Sequence, residues 1–313
     1  MARNPIQFQR GLSLPAFLGC YGTEAQCRDA VFTMRWPDGF VCGKCGNTTY
    51  CTLTRGVFQC HHCHHQTSLT AGTIFQDTKL PLCTWFLAIY LLTQRKQSIS
   101  ALQLSRDLGV SYNTAWQLKH KILQVMYERC GCERLSGRIE IDDAYLGGER
   151  PGKRGRGVAG NVPFVAAVET TNDGRPRKAE FRRVSGFTRA AIEAYAKAAV
   201  APASHIVSDG LNRFRVFDPP NYTHERIISG GGRASVENPT FNWVNTMLGN
   251  VKNAIVGNLH AVRSKHVPRY LAEYEYRFNR RFNLPAMIER FMYVALRTAP
   301  MPYRLLTMAE SYA

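Results

Sequence analysis

Cys42-Gly-Lys-Cys45 and Cys60-His-His-Cys63 are two Cys-x-x-Cys pairs with fourteen residues between them. Four thiolates so spaced can close a tetrahedron around a structural Zn2+, in place of the apolar core that a segment of about forty residues cannot build. Two such pairs together fit a structural metal better than a thioredoxin-like redox pair. Cys51 fits neither pair. His61, His62, His64 and His65 read as solvated or phosphate-contacting side chains in preference to ligands.

A second constellation is acidic. Arg138-Ile-Glu-Ile-Asp142-Asp143-Ala-Tyr-Leu-Gly-Gly148 reads as a strand carrying acids in an apolar setting, followed by a basic glycine-rich loop, Arg150 to Arg156, whose Arg154 and Arg156 are expected to meet DNA. His205-Ile-Val-Ser-Asp209-Gly210 reads as a short apolar strand ending in an acid. From Phe241 to Lys252 the pattern is helical, and a spacing of seven puts Asn245 and Lys252 on one face, two turns apart. Carboxylates held on buried strands need a cationic partner, either a metal ion or an arginine such as Arg138 or Arg150. Adjacent strand residues face opposite sides, so only one of Asp142 and Asp143 is expected to enter a shared site.

Between these constellations, Ser98 to Ile122 divides at Gly109, which can end one helix, and Ser111, which can cap the next. If the second helix enters a major groove, Tyr112, Asn113, Thr114 and Gln117 would meet base edges, and Lys119 and Lys121 would meet phosphates. The alternative is an αα-hairpin packed on the core.

The elements that must position these residues fall in order. A helical lead-in (1–35) ends at the turn Pro37-Asp38-Gly39. A zinc ribbon (36–75) precedes a helical helix-turn-helix region (76–132). The pattern then changes to strands at about Val162–Glu169 and Ala179–Val184, a helix at about Thr188–Val200, the strand at His205, and long helices. Three strands, a helix, a strand and then helices, with acids on the first and fourth strands, is the order of a ribonuclease-H-like domain (136–285), before a C-terminal tail (286–313). The fold expected is therefore multidomain α/β. In the 313 residues, 40 Lys and Arg face 23 Asp and Glu, a formal charge of +17 that attracts nucleic acid. The most apolar run, Leu80–Leu92, falls short of the roughly twenty residues that span a bilayer. The opening MARNPIQFQRG lacks a signal-peptide apolar core, so a reducing cytoplasm is expected.

The runs Glu140–Gly148, Ser208–Gly210, Lys252–His260 and Lys265–Arg281, preceded by Arg35-Trp-Pro-Asp-Gly-Phe-Val-Cys-Gly-Lys-Cys-Gly46, resemble bacterial insertion-sequence transposases of the DDE type, in the group with an N-terminal zinc ribbon. The likeness covers most of residues 24–285. It implies that Asp142, not Asp143, and Asp209 are metal-binding carboxylates and that Lys252 contacts DNA near the cut. Glu273, Arg277 and Arg280 match a charged motif of the group, with both arginines toward DNA. The third position, Glu in most such enzymes, is Asn245 here, as in some members of the group. The chemistry implied uses two Mg2+ (or Mn2+) ions about 3.5 to 4 Å apart, with no nucleotide cofactor. The implied partners are double-stranded DNA, as element ends and target, and a second copy of the chain in a homodimer or higher oligomer, at the nucleoid and without a membrane. A catalytically inactive DNA-binding descendant is the alternative, and Asn245 is the feature that favours it.

Overall fold

The computed structural model describes residues 6, 8–130, 133–147, 161–228, 241–259 and 262–309. The chain forms two compact units, Met1–Val125 with Arg280–Ala313, and Met126–Asn279.

In the first unit, α1 (Leu14–Tyr21) and α2 (Glu24–Arg35) precede a three-stranded antiparallel sheet of β1 (Tyr50–Thr52), β2 (Val57–Cys60) and β3 (Gln66–Ser68). Thr23 and Gln26 form a reciprocal cap at the start of α2, which satisfies amide groups that an isolated helix end leaves open. Phe32 of α2 packs its ring 5.4 Å from that of Phe58, and Phe40 lies 4.7 Å from Tyr50. The helix expected to be a lead-in thus contributes to the small aromatic core of the ribbon. Beyond the ribbon, α3 (Leu82–Thr93) takes up the apolar run and buries Trp85, Phe86, Ile89 and Leu92. No described helix is long and apolar enough to cross a membrane. Next come α4 (Ala101–Leu108) and α5 (Tyr112–Arg129). Ser100 caps α4, Gly109 ends it in the left-handed conformation (φ 65°), and the Ser111 hydroxyl accepts the Thr114 N–H at 3.2 Å.

The second unit is built on a five-stranded sheet in the order β6-β5-β4-β7-β8. Its strands are β4 (Arg138–Leu146), β5 (Val162–Thr170), β6 (Pro176–Arg183), β7 (His205–Asp209) and β8 (Thr223–Ile227). β4, β5 and β6 pair antiparallel, whereas β7 runs parallel to β4 and β8 parallel to β7. One face packs on α6 (Arg189–Ala199) and the 3-10 turn Asn212–Phe217, through Ile139, Ile141, Val165 and Ile206. The other packs on α7 (Asn242–Leu259) and α8 (Val267–Asn279), through Ala144, Phe164, Ala166 and Val207 against Val244, Met247 and Leu271. Each fully buried side chain of the size of Phe164 contributes about 1.5–3 kcal/mol to this packing. α8 also covers the open edge of β6. Asn279 exchanges bonds with both backbone groups of Ala179 at 2.8 Å, and Glu275 accepts the Phe181 N–H at 3.0 Å. These bonds satisfy backbone groups that an edge strand would otherwise expose.

The last 34 residues correct the expectation of a C-terminal tail. After Arg280 the chain rejoins the first unit, where α9 (Met287–Ala295) buries Met287, Ile288, Phe291 and Met292, and α10 (Tyr303–Met308) buries Leu306. Gln94, at the end of α3, donates to the Leu284 carbonyl at 3.0 Å. An apolar face such as that of α9 is stable only when buried, and α2 and α3 supply its cover.

Candidate functional site

The four cysteines lie on two similar turns. In the first, Cys42 N–H donates to Asn47 O, and Gly46, at φ 72°, donates back to Cys42 O. In the second, Cys60 N–H donates to His65 O, and His64, at φ 56°, donates back to Cys60 O. The Sγ atoms of Cys42 and Cys63 are 3.6 Å apart, as are those of Cys45 and Cys60, and all four sulfurs lie within 4.8 Å of one another. A tetrahedron with Zn–S bonds of about 2.3 Å has edges of about 3.8 Å, so the donor set fits zinc. The Cys63 N–H, pointing at the Cys60 sulfur, brings that thiol down to about 6. At Cys45 the Asn47 N–H pulls the same way but is outweighed by the sulfurs of Cys63, Cys60 and Cys42, which push it up to about 12. Four thiolates at this density need a cation to share. All four neighbouring histidines are exposed, and the metal-competent cluster at this place contains only cysteines.

The acids assemble from separate strands. Parallel pairing sets Ile141 of β4 beside Ser208 of β7, so the next pair in register is Asp142 and Asp209, at the point where β7 ends. Asp142 therefore lies on the sheet face covered by α7. Carboxylate oxygens of Asp142, Asp143 and Asp209 lie within 4.8 Å of one another. This corrects the expectation that strand alternation keeps Asp143 out: the ladder between β4 and β7 stops at Ile141, and beyond it the side chain of Asp143 reaches the same rim. Two backbone bonds orient the pair, from Asp143 N–H to Asp142 Oδ1 at 2.8 Å and from Leu211 N–H to Asp209 Oδ1 at 3.0 Å. Burial, with the charges of Asp209 and Asp143, pushes the Asp142 carboxyl up to about 7, against the opposing pull of the Asp143 N–H and the Lys252 ammonium. Oxygen ligands crowded in this way suit a hard divalent cation.

Asn245 and Lys252 lie on α7, with Lys252 exposed and Asn245 partly buried. The Asn245 amide donates Nδ2 to Phe241 O at 2.9 Å, which leaves Oδ1 as its acceptor end. A chain of polar side chains missed in the sequence backs the second carboxylate. Asp218 bonds His224 Nδ1 at 2.7 Å, His224 Nε2 meets Ser208 Oγ at 2.8 Å, and Ser208 immediately precedes Asp209. Ser208 is fully buried, so the three have the makeup of a nucleophilic triad without access to a substrate. The sequence order Ser-x15-His hides them, because parallel pairing of β7 with β8 is what brings them together.

On the helix pair the structure divides the expected DNA contacts. Tyr112, 52% exposed, and Asn113 face outward, and Thr114 and Gln117 are partly exposed. Lys119 is a correction: it is 0% exposed, and its ammonium donates to Ile99 O at 2.5 Å. It lies four residues after Ala115 and one after Leu118, on the buried side of α5, and it satisfies the carbonyl just before the cap of α4. Lys121 is also turned inward, toward Ile74 O at 3.4 Å and the face of the Trp85 ring, so it too is not the outward phosphate contact expected. Arg277 is 9% exposed and pairs with Glu273 one turn earlier on α8, a buried ion pair in place of a DNA contact. Arg280 lies just past the end of α8, not on it. Arg154 and Arg156 lie outside the described residues.

Comparison with known proteins agrees with this division of the chain. Residues 22–66 match the transposase zinc-ribbon domain, a span that includes α2, and residues 134–279 match the ISXO2-like transposase domain. Over 238 residues the chain is 26% identical to an "Uncharacterized protein in transposable element ISH50" of Halobacterium salinarum, covering 67% of this chain and 76% of that protein. The two matched domains, a zinc ribbon followed by a transposase domain, stand in the same order as the ribbon and the five-stranded sheet described above, and the chain belongs to the insertion-sequence transposases with an N-terminal zinc ribbon.

Proposed function

We propose that this transposase cleaves DNA at the ends of its element and joins the 3′ ends to target DNA, with Asp142, Asp209 and Asn245 as the ligand set of a ribonuclease-H-like site. The observation that carries this reading is the meeting of Asp142, Asp143 and Asp209 oxygens within 4.8 Å, with Asp142 pushed up to about 7 by burial and by its acidic neighbours. The strand order, with three antiparallel strands followed by two parallel ones, supports the ribonuclease-H-like assignment.

A pair of Mg2+ or Mn2+ ions would supply the activation of the attacking oxygen and the stabilisation of the leaving one. Asp142 and Asp209 would hold the cations, each with one oxygen already fixed by a backbone N–H. Asp143 adds a third carboxylate at the rim, and Asn245 offers Oδ1 without charge. Lys252, exposed on α7, would hold the DNA phosphates beside the carboxylates. The outward residues at the start of α5, Tyr112, Asn113, Thr114 and Gln117, would read base edges in the manner of a helix-turn-helix. Bringing two element ends together calls for a dimer or larger assembly.

The test is strand cleavage of a labelled duplex spanning the junction between the element and its flank, across a Mg2+ and Mn2+ titration. Wild-type cleavage that disappears in Asp142→Ala supports the reading, and full activity of Asp142→Ala overturns it. The rival is an inactive DNA-binding descendant, favoured by Asn245 standing where most relatives of the DDE type have an acid. It predicts end binding with no cleavage at any metal concentration.

A further inference from the structure

Glu140 stands two residues before Asp142 on the same face of β4 and is 1% exposed. Its Oε2 accepts the backbone N–H groups of Trp243 at 2.8 Å and Val244 at 3.0 Å, and its Oε1 takes Arg138 Nη1 at 2.8 Å. Trp243 and Val244 belong to the first turn of α7, whose amide groups have no partner within the helix and whose positive dipole end favours an anion. A carboxylate this deep is tolerated only because both of its oxygens are bonded. The geometry has a consequence for catalysis. Val244 directly precedes Asn245, and Glu140 is one side chain along the strand face from Asp142, so a single carboxylate ties the strand of the first metal-binding acid to the helix of the third position.

We propose that Glu140 is a positioning residue: it seats the start of α7 on β4 and thereby fixes Asn245 relative to Asp142. This rests on the reading of Asn245 as the third position of the cleavage site. A simple helix cap would matter for stability alone. A positioning residue acts through Asn245, and its effect vanishes when Asn245 is already gone.

The experiment compares full-length, zinc-loaded wild type with Glu140→Gln, Asn245→Ala and the double variant. It measures cleavage of the labelled junction duplex, binding of that duplex, thermal unfolding, and Mn2+ affinity from the electron paramagnetic resonance of free Mn2+. Glu140→Gln keeps one acceptor oxygen but loses the charge that holds both the helix start and Arg138. The expected result is cleavage reduced about tenfold or more with duplex binding within about twofold of wild type, as for a small misplacement of a reacting group. Mn2+ binding weakens as well, and the double variant is no worse than Asn245→Ala in either cleavage or Mn2+ affinity. Losses that multiply in the double variant, or Glu140→Gln cleaving like wild type, overturn the positioning role. Wild type that fails to cleave with any divalent cation counts against the proposed function itself. Asn245→Ala with full activity removes Asn245 from the site and this inference with it. If Glu140→Gln fails to fold, Glu140→Asp keeps the charge and the pairing with Arg138 but withdraws from the helix by one methylene. The same pattern is expected of it, and the same outcomes overturn the proposal.

Discussion

The ribbon and the acidic site solve the same electrostatic problem at opposite ranges of sequence. Each crowds anionic ligands within 4.8 Å, and crowding drives groups in both well off their ordinary values, among them Cys45 up to about 12 and Asp142 up to about 7. In the ribbon, all four ligands come from two tight turns within 22 residues, and what lies around them is one aromatic cluster and three short strands. At the acidic site the ligands come from β4 and β7, 67 positions apart, and a five-stranded sheet with helices on both faces holds them in place. In the ribbon the metal substitutes for a core. At the acidic site the core comes first, and in the proposed function a divalent cation would be added to it, which would leave ligand positions open for a substrate.

Metal removal should separate the two regions most sharply. Chelation of zinc, or Cys60→Ser, removes a contribution on the order of 10 kcal/mol and is expected to unfold residues 22–66 while strands β4 to β8 keep their amide protection. Hydrogen exchange by segment checks this, and loss of protection in both regions together would show that the second unit does not stand on its own core. Next in size, Asp142→Ala or Asp209→Ala is expected to lower strand cleavage by about a thousandfold or more, roughly 4 kcal/mol in barrier, with end binding and unfolding temperature nearly unchanged. Single-turnover cleavage by the purified variants is the measurement. An unfolding temperature that drops with either variant would make these acids structural.

A smaller effect concerns Lys119. Because its ammonium is buried against Ile99 O, Lys119→Ala should destabilise the first unit by about 1–3 kcal/mol through the carbonyl left unpaired, and leave the salt dependence of DNA binding unaltered. A reduced salt slope with unchanged stability would restore it as a phosphate contact. The smallest expected effect has the opposite sign. A carboxyl whose folded value is raised destabilises the fold increasingly as pH rises from its unfolded range near 4 through about 7. In zinc-loaded protein free of Mg2+, Asp142→Asn should therefore raise the stability of the second unit by on the order of 1 kcal/mol above pH 7, and by nothing below pH 4. Thermal unfolding at both pH values reads the difference, and saturating Mg2+ should reverse it. A stability gain independent of pH would mean that charge crowding is not its cause.

The local parts of this protein were legible from sequence because their causes are local. The spacing of the cysteine pairs, the Ser100 and Ser111 caps and the break at Gly109 each depend on residues close to one another in the chain. Likeness to a known pattern singles out Asp142 and Asp209 among the acids, and strand register sets the two side by side. Tertiary structure alone decided the rest. Lys119 looks like a surface charge by type, and only the packing of α5 against the segment before α4 turns its ammonium inward. Arg277 reads as a DNA contact until burial pairs it with Glu273. Asp143 is excluded by alternation until the ladder ends one residue short of Asp142. The tail predicted after residue 285 becomes part of the first unit because α2 and α3 supply cover for its apolar face. Glu140, two residues from Asp142, is the plainest case, since its partners Trp243 and Val244 are 103 and 104 positions away. Chain proximity can specify what a turn or a helix end needs, whereas the environment of a buried charge depends on which distant segments cover it, and that is fixed only when the sheet and its helices have packed.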